Sequence, residues 1–218
     1  MKKSTHSQYA IDNASILFLA QARKDHTNCF RFSMTLSEDI CPASLQKAVD
    51  RVYKRFPTIF ARFHFGILQH IQIPIDTPPQ VQRDPGCLIT MRKKELSTCA
   101  YRVYYEEKKI SIEAFHALTD GMGGINFLNE LTYQYLRLVH PDLKAQVGGD
   151  ALSSSTSLSR EDSFLKNYRK SSVKKYKTQK AYLVKGEKLR PGEFGVMHGL
   201  INIPELKVVT KKYGASIN

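Results

Sequence analysis

The stretch "CAYRVYYEEKKISIEAFHALTDGMGGINFLNEL" (Cys99–Leu131) holds two alternating segments, a short Glu-Lys turn, and a glycine cluster that opens a helical pattern. Apolar and polar residues alternate along "CAYRVYYEE" and "KISIEAFH". That is the period of a strand, whose successive side chains point to opposite faces. In the second segment Ile110, Ile112, Ala114 and His116 therefore share one face. After the glycines, Ile125, Leu128, Leu131, Tyr135 and Leu138 recur at helical spacing. A hairpin followed by a helix is predicted, with a histidine at the junction and an aspartate four residues on.

The segments upstream follow the same rules. "TNCFRFSMTL" alternates as a strand with Phe30, Phe32 and Met34 on one face. In "CPASLQKAVDRVYKRFP", Pro42 suits a first helical turn, and Leu45, Ala48, Val49, Val52 and Phe56 recur at helical spacing until Pro57. "TIFARFHFGILQHIQIPI" is a predicted hairpin with Gly66 near its turn, and the proline- and glycine-rich residues 76–86 are predicted as loop. "HPDLKAQ" ends the helix that the glycines open. Further on, "GGDALSSSTSLSREDS" has linker composition, and residues 160–190 carry eleven Lys and Arg against three Asp and Glu. "FGVMHGLINI" is predicted as a strand and "PELKVVTKKYG" as the start of a helix. No internal repeat is present.

The bulk composition is that of a globular chain: 218 residues, 42% hydrophobic and 24% charged. The net charge of +13 favours an anionic partner without choosing one. Cys29, Cys41, Cys87 and Cys99 are scattered, with no C-x-x-C pair, which argues against a zinc ribbon and for reduced thiols in a cytoplasmic protein. The apolar run Ala14–Ala20 barely reaches the minimum for a leader h-region, and Asp12 and Asn13 interrupt its approach, so secretion is not expected. No apolar run is long enough to span a membrane.

Several chemistries fail on spacing. The glycines of "GMGGIN" open a helix after a strand, as a dinucleotide fingerprint would. Yet Asn126 holds the third glycine position, and no acid-ended second strand follows. There is no G-x-S-x-G elbow. The histidines at 6, 26, 64, 70, 140 and 198 show no ligand spacing, so no metal is expected. What remains is His116 at the end of a buried strand, where an imidazole can take a proton near neutral pH. The alternative is a strand-end histidine on a core face, hydrogen-bonded to backbone. Asp120 on the following turn suits a structural ion pair, and Gly121 suits a bend.

"FHALTDGMGGINFLNEL" resembles the H-x-x-x-D-G motif of the CoA-dependent acyltransferase superfamily, which includes chloramphenicol acetyltransferase, peptide-synthetase condensation domains and alcohol acetyltransferases. "CPASLQKAVDRVYKRFPTIFARF" (Cys41–Phe63) resembles that family's first helix, its basic helix end, a proline and a strand, in the same order. The resemblance implies an α/β (α+β) fold: a mixed, largely antiparallel sheet flanked by helices, as in a chloramphenicol acetyltransferase-like half-domain. It implies His116 as general base on an alcohol or amine acceptor, which attacks an acyl thioester of CoA or of a carrier protein's phosphopantetheine arm, with no covalent intermediate. It implies a structural role for Asp120 and Gly121, with Asp120 paired to an arginine; Arg62 in "FARF" is the candidate.

The sequence departs from the family at three points. Phe115 replaces the first of the two consecutive histidines that many members carry, and Phe60 replaces the first of two arginines in the strand after the helix. The third is length, since the chain corresponds to the family's N-terminal half. Residues 1–147 are then the half-domain with the motif, 148–163 a linker, and 164–218 the basic segment and the start of a crossover to a missing C-terminal half. That half would supply a D-F-G-W-G-like motif and much of the acceptor pocket, so the chain alone is expected to be inactive and to expose an apolar face. The basic segment is read as a solvated surface, or as a surface attracting CoA phosphates or an acidic carrier protein. A non-catalytic or carrier-interacting homologue is the second hypothesis, and a basic nucleic-acid-binding domain the third.

Overall fold

The computed structural model describes residues 9–22, 27–67, 69–142, 167–169, 180, 182–183, 185–187, 189–190, 193 and 195–217. The linker assigned to 148–163 and most of the basic segment lie outside them. Two units are distinguished, Met1–Leu183 and Val184–Asn218. No helix among the described residues is long and apolar enough to cross a membrane.

In the first unit the chain runs β1 (Tyr9–Ala10), α1 (Asn13–Gln21), β2 (Cys29–Thr35), α2 (Pro42–Val52), a 3-10 turn (Tyr53–Arg55), β3 (Ala61–Phe65), β4 (His70–Pro74), β5 (Gln82–Arg83), α3 (Lys93–Leu96), β6 (Tyr101–Glu106), β7 (Lys109–Phe115) and α4 (Gly121–Val139). The expected mixed, largely antiparallel architecture is present, divided into two sheets. One has the order β1-β4-β3 and the other β2-β7-β6-β5. The Ala100 N–H donates to the Ala61 carbonyl at 3.0 Å, from the residue before β6 to the first residue of β3. The one parallel pair described is β5 with β6, Gln82 opposite Tyr104. It corrects the expectation of plain loop for residues 76–86. Two residues are too few to show a period in sequence, and only the hydrogen bonds to β6 make them a strand.

β6 and β7 turn through Glu107 and Lys108, with Glu107 at φ 44°, a left-handed conformation uncommon outside glycine. The turn is tied to the chain entering α2. The Glu107 carbonyl accepts from the Ile40 N–H at 2.7 Å, and the Lys108 carbonyl from the Leu36 N–H at 2.8 Å.

α2 has Pro42 in its first turn and buries Leu45, Ala48, Val49 and Val52, as its spacing predicts. It packs against α4, which buries Gly124, Phe127, Leu128, Leu131 and Tyr135. The predicted stripe is thus shifted in phase at its start: Ile125 is exposed, and Phe127 takes the core position. The reason is Gly124, whose absent side chain lets the helix face β2. Phe127 meets Phe56, Phe60 and Tyr101 edge-on, with centroids 5.0–5.2 Å apart.

β7 is buried on both faces, a departure from the one-sided burial that alternation implies. Ile110, Ile112 and Ala114 enter the core. On the other face Glu113 lies between its cross-strand neighbours Arg31 of β2 and Arg102 of β6. Arg31 Nη2 donates to Glu113 Oε1 at 2.6 Å, and Arg31 Nη1 to Asp84 Oδ1 at 2.8 Å. Neither carboxylate side chain has any exposed surface. This paired burial is the condition under which charges can leave water.

In the second unit α5 (Ile203–Lys212) is capped by Asn202, whose side chain accepts from the Glu205 N–H, and it ends at Gly214, φ 60°. The helix matches expectation, but the strand predicted within 194–203 does not form over Gly195–Asn202. Val196, Met197, Leu200 and Ile201 are all more than two-thirds exposed. An alternating pattern makes a strand only when another strand accepts its hydrogen bonds.

Candidate functional site

His116 follows the last residue of β7 and is half-buried. Its backbone N–H donates to the Asn28 carbonyl at 2.8 Å, just before β2 begins. The imidazole lies flat against the Phe18 ring of α1, with centroids 4.3 Å apart and planes 13° from parallel. Phe30 of β2 meets it at 5.2 Å and 75°. The site is therefore an aromatic slot at the end of a buried strand, with the imidazole between Phe18 and Phe30.

Asp120 is exposed and serves as N-cap of α4, its carboxylate accepting from the Gly123 N–H at 2.8 Å. A carboxylate here satisfies a helix donor that has no intrahelical partner and meets the positive end of the helix dipole. Among the described residues no hydrogen bond or ion pair joins it to Arg62, which sits in β3 opposite Ile73, in the other sheet. The expected Asp120–Arg62 pair is thus not formed. The motif aspartate is engaged by the helix it starts. The basic turn after α2 does make an ion pair: Arg55 Nη1 donates to the buried Glu130 of α4 at 2.9 Å.

The glycines act differently from the expected bend. None of Gly121, Gly123 and Gly124 has a positive φ, and a Cβ on Gly121 would meet only Phe32 at an ordinary 3.8 Å. The demanding position is Gly124, where a Cβ would lie 2.9 Å from the Phe30 ring and 3.0 Å from the Phe32 ring. A Cβ on Gly123 would collide with the Thr119 hydroxyl. Gly124 lets α4 close onto β2, and Gly123 leaves room for the Thr119 side chain at the helix start.

Sequence reasoning missed Ser15, Phe18 and Asn28. Ser15 Oγ donates to the Ala117 carbonyl at 3.0 Å, and Asn28 Nδ2 to the Phe18 carbonyl at 2.7 Å. The run that resembles a leader h-region forms α1, capped by Asp12 at Ser15 N–H. Its nearly uniform apolarity hides the face that packs, since Ile16 and Leu17 are exposed while Ser15 and Leu19 are buried. The one signal was Asp12, which resembles an interruption but is a helix N-cap.

No family model and no curated protein matches the chain. Solved structures do. Polyketide synthase associated protein 5 from Mycobacterium tuberculosis is 15% identical with a TM-score of 0.45, over 60% of this chain and 33% of that one. The starter condensation domain of rhizomide synthetase RzmA is 16% identical with a TM-score of 0.48, over 62% and 40%. F. sporotrichioides TRI101, solved with coenzyme A and T-2, is 11% identical with a TM-score of 0.33, over 57% and 40%. The chain thus spans between a third and two-fifths of the length of these three. All three TM-scores lie below 0.5. The solved structures to which this chain is similar, over part of its length, include condensation domains and a protein bound to coenzyme A.

Proposed function

We propose that the chain carries the base-bearing part of an acyltransferase that moves an acyl group from a thioester to an alcohol or amine. The carrying observation is the corner: His116 leaves a buried strand in an aromatic slot, and Asp120 four residues later starts the helix beside it. An imidazole nitrogen takes the proton of the acceptor O–H or N–H. The acceptor attacks the thioester carbonyl, the C–S bond breaks, and the departing thiolate recovers the proton from the imidazolium. No covalent acyl-enzyme is required. Acyl-CoA or an acyl carrier protein is the proposed donor and partner, Asp120 caps the helix that Gly121 begins, Gly124 sets its distance from β2, and Arg62 makes no pair with Asp120.

The test is release of thiol from acetyl-CoA, with a panel of alcohols and amines, by the full-length protein and its His116→Ala variant. Loss of turnover in a variant that keeps its far-UV circular dichroism supports the reading. Turnover retained by His116→Ala overturns it. A folded wild type inactive with every donor, including a phosphopantetheine-linked acyl group, would point to a non-catalytic homologue.

A further inference from the structure

Among the described residues no hydrogen bond reaches either imidazole nitrogen of His116. Histidine's second side-chain torsion is broad and roughly two-fold, so an imidazole without such a bond has no intrinsic orientation. Its orientation must come from packing. Phe18 lies parallel to the ring at 4.3 Å, and Phe30 stands edge-on at 5.2 Å. Phe18 is itself held from two sides. Its carbonyl accepts from Asn28 Nδ2 at 2.7 Å, and α1 is pinned one turn earlier by the Ser15 hydroxyl on the Ala117 carbonyl at 3.0 Å. Asn28 also accepts the His116 N–H on its own carbonyl at 2.8 Å. One residue therefore bonds to both members of the stacked pair, through its backbone on one side and its carboxamide on the other.

We infer that Phe18 and Asn28 are positioning residues for His116: the Phe18 ring sets the plane of the imidazole, and Asn28 ties the two residues into one unit. The inference rests on His116 being the base. A misdirected base loses proton-transfer geometry with its chemistry unchanged, and such displacements cost rate out of proportion to their size. Phe18→Leu keeps apolar bulk and removes the flat ring. Phe18→Tyr keeps the ring. Asn28→Ala keeps the backbone carbonyl and removes the carboxamide.

The experiment uses the full-length protein with 13Cε1-labelled histidine, the His116 resonance being assigned by its loss in His116→Gln. A proton over an aromatic face is shielded. Phe18→Leu is expected to move the His116 Hε1 signal downfield, Phe18→Tyr to restore it, and Asn28→Ala to move it partway, with the signals of His64 and His140 unmoved. Where acetyl-CoA turnover is measurable, Phe18→Leu should lower kcat about tenfold or more, with KM for acetyl-CoA unchanged and Phe18→Tyr near wild type. A His116 signal that Phe18→Leu and Asn28→Ala leave in place overturns the inference. So does a signal that moves with kcat unaltered. A wild type without turnover counts against the acyl-transfer reading, whereas the Asn28→Ala resonance, read with the Phe18 ring still in place, decides whether the tie orients the imidazole.

Discussion

Arg31 and Glu113 face each other across the β2–β7 register, with Arg31 Nη2 and Nε both on Glu113 Oε1, at 2.6 and 3.1 Å. The Glu113 side chain has no exposed surface, and its second oxygen is 3.4 Å from Arg102 Nη1. Removing one partner of such a pair strands a buried charge, and that effect outweighs the modest net worth of the pair. Arg31→Met is predicted to destabilise the chain by about 3 kcal/mol in urea unfolding. The double variant Arg31→Met/Glu113→Gln should recover part of that loss. Equal stability of wild type and Arg31→Met would show that Arg102 alone satisfies Glu113.

Asp84 belongs to the same cluster and makes stability depend on pH. Burial pushes its carboxyl up, but the Gly86 N–H at 2.9 Å and the Arg31 guanidinium outweigh burial and hold it below the usual value. A depressed native value stabilises the fold above the unfolded value of about 3.9, and that contribution disappears as pH falls through the native value. The Tm gap between wild type and Asp84→Asn should therefore be full near about pH 6 and shrink below about pH 4. Circular dichroism melts across that range decide it; a gap that stays constant on acidification removes Asp84 as the cause.

Gly124→Ala sets two effects against each other. Helix propensity favours alanine by about 1 kcal/mol. The new Cβ, 2.9 and 3.0 Å from the rings of Phe30 and Phe32, opposes this with overpacking of about 1–3 kcal/mol. The contact should win, because both rings are held between the sheet and α4. Chemical denaturation is expected to show net destabilisation that Phe30→Leu in the same chain relieves. A more stable Gly124→Ala would mean that the rings move aside freely.

The four cysteines are free thiols and should react in a definite order. Cys41 is exposed at the N-cap of α2, where the neighbouring Ser44 hydroxyl and then the Ser44 N–H hold its thiol below the usual value. Burial raises Cys29 and Cys99. Since the thiolate is the reactive form, limiting iodoacetamide near neutral pH should alkylate Cys41 well before those two. Peptide mass mapping over time gives the order, and equal rates would contradict the difference in environment.

The parts of this fold that sequence revealed are those whose signal is local and periodic. The β6–β7 hairpin, α2 and the helix after the glycines all repeat over enough residues to show a face. The parts it concealed depend on partners distant in the chain. Ile125 satisfies the helical period, yet Gly124 rotates the contact toward Phe127, and only the proximity of β2 explains that. Glu113 occupies a polar position in a strand, which alternation assigns to solvent. Arg31 and Arg102 become its neighbours only once three strands are in register. At the candidate site, His116, Asp120 and Gly121 are legible because the motif spacing is local, whereas Phe18 and Asn28 reach the histidine only through the fold. The ion pair assigned to Arg62 is not formed: Arg62 lies on β3 in the other sheet, while the carboxylate caps α4.

The close fit of Gly124 against Phe30 and Phe32 gives a criterion for recognising corners of this type. The motif places a histidine and an aspartate, but the gauge between sheet and helix is set four residues beyond the aspartate, by a side chain that is missing. A sequence with the same H-x-x-x-D-G letters and a bulky residue at that position would hold its helix farther from the strand. It could close the gap only with smaller residues where this chain has Phe30 and Phe32. Such paired changes, more than the letters of the motif, would mark the chains that hold strand and helix equally close at this corner.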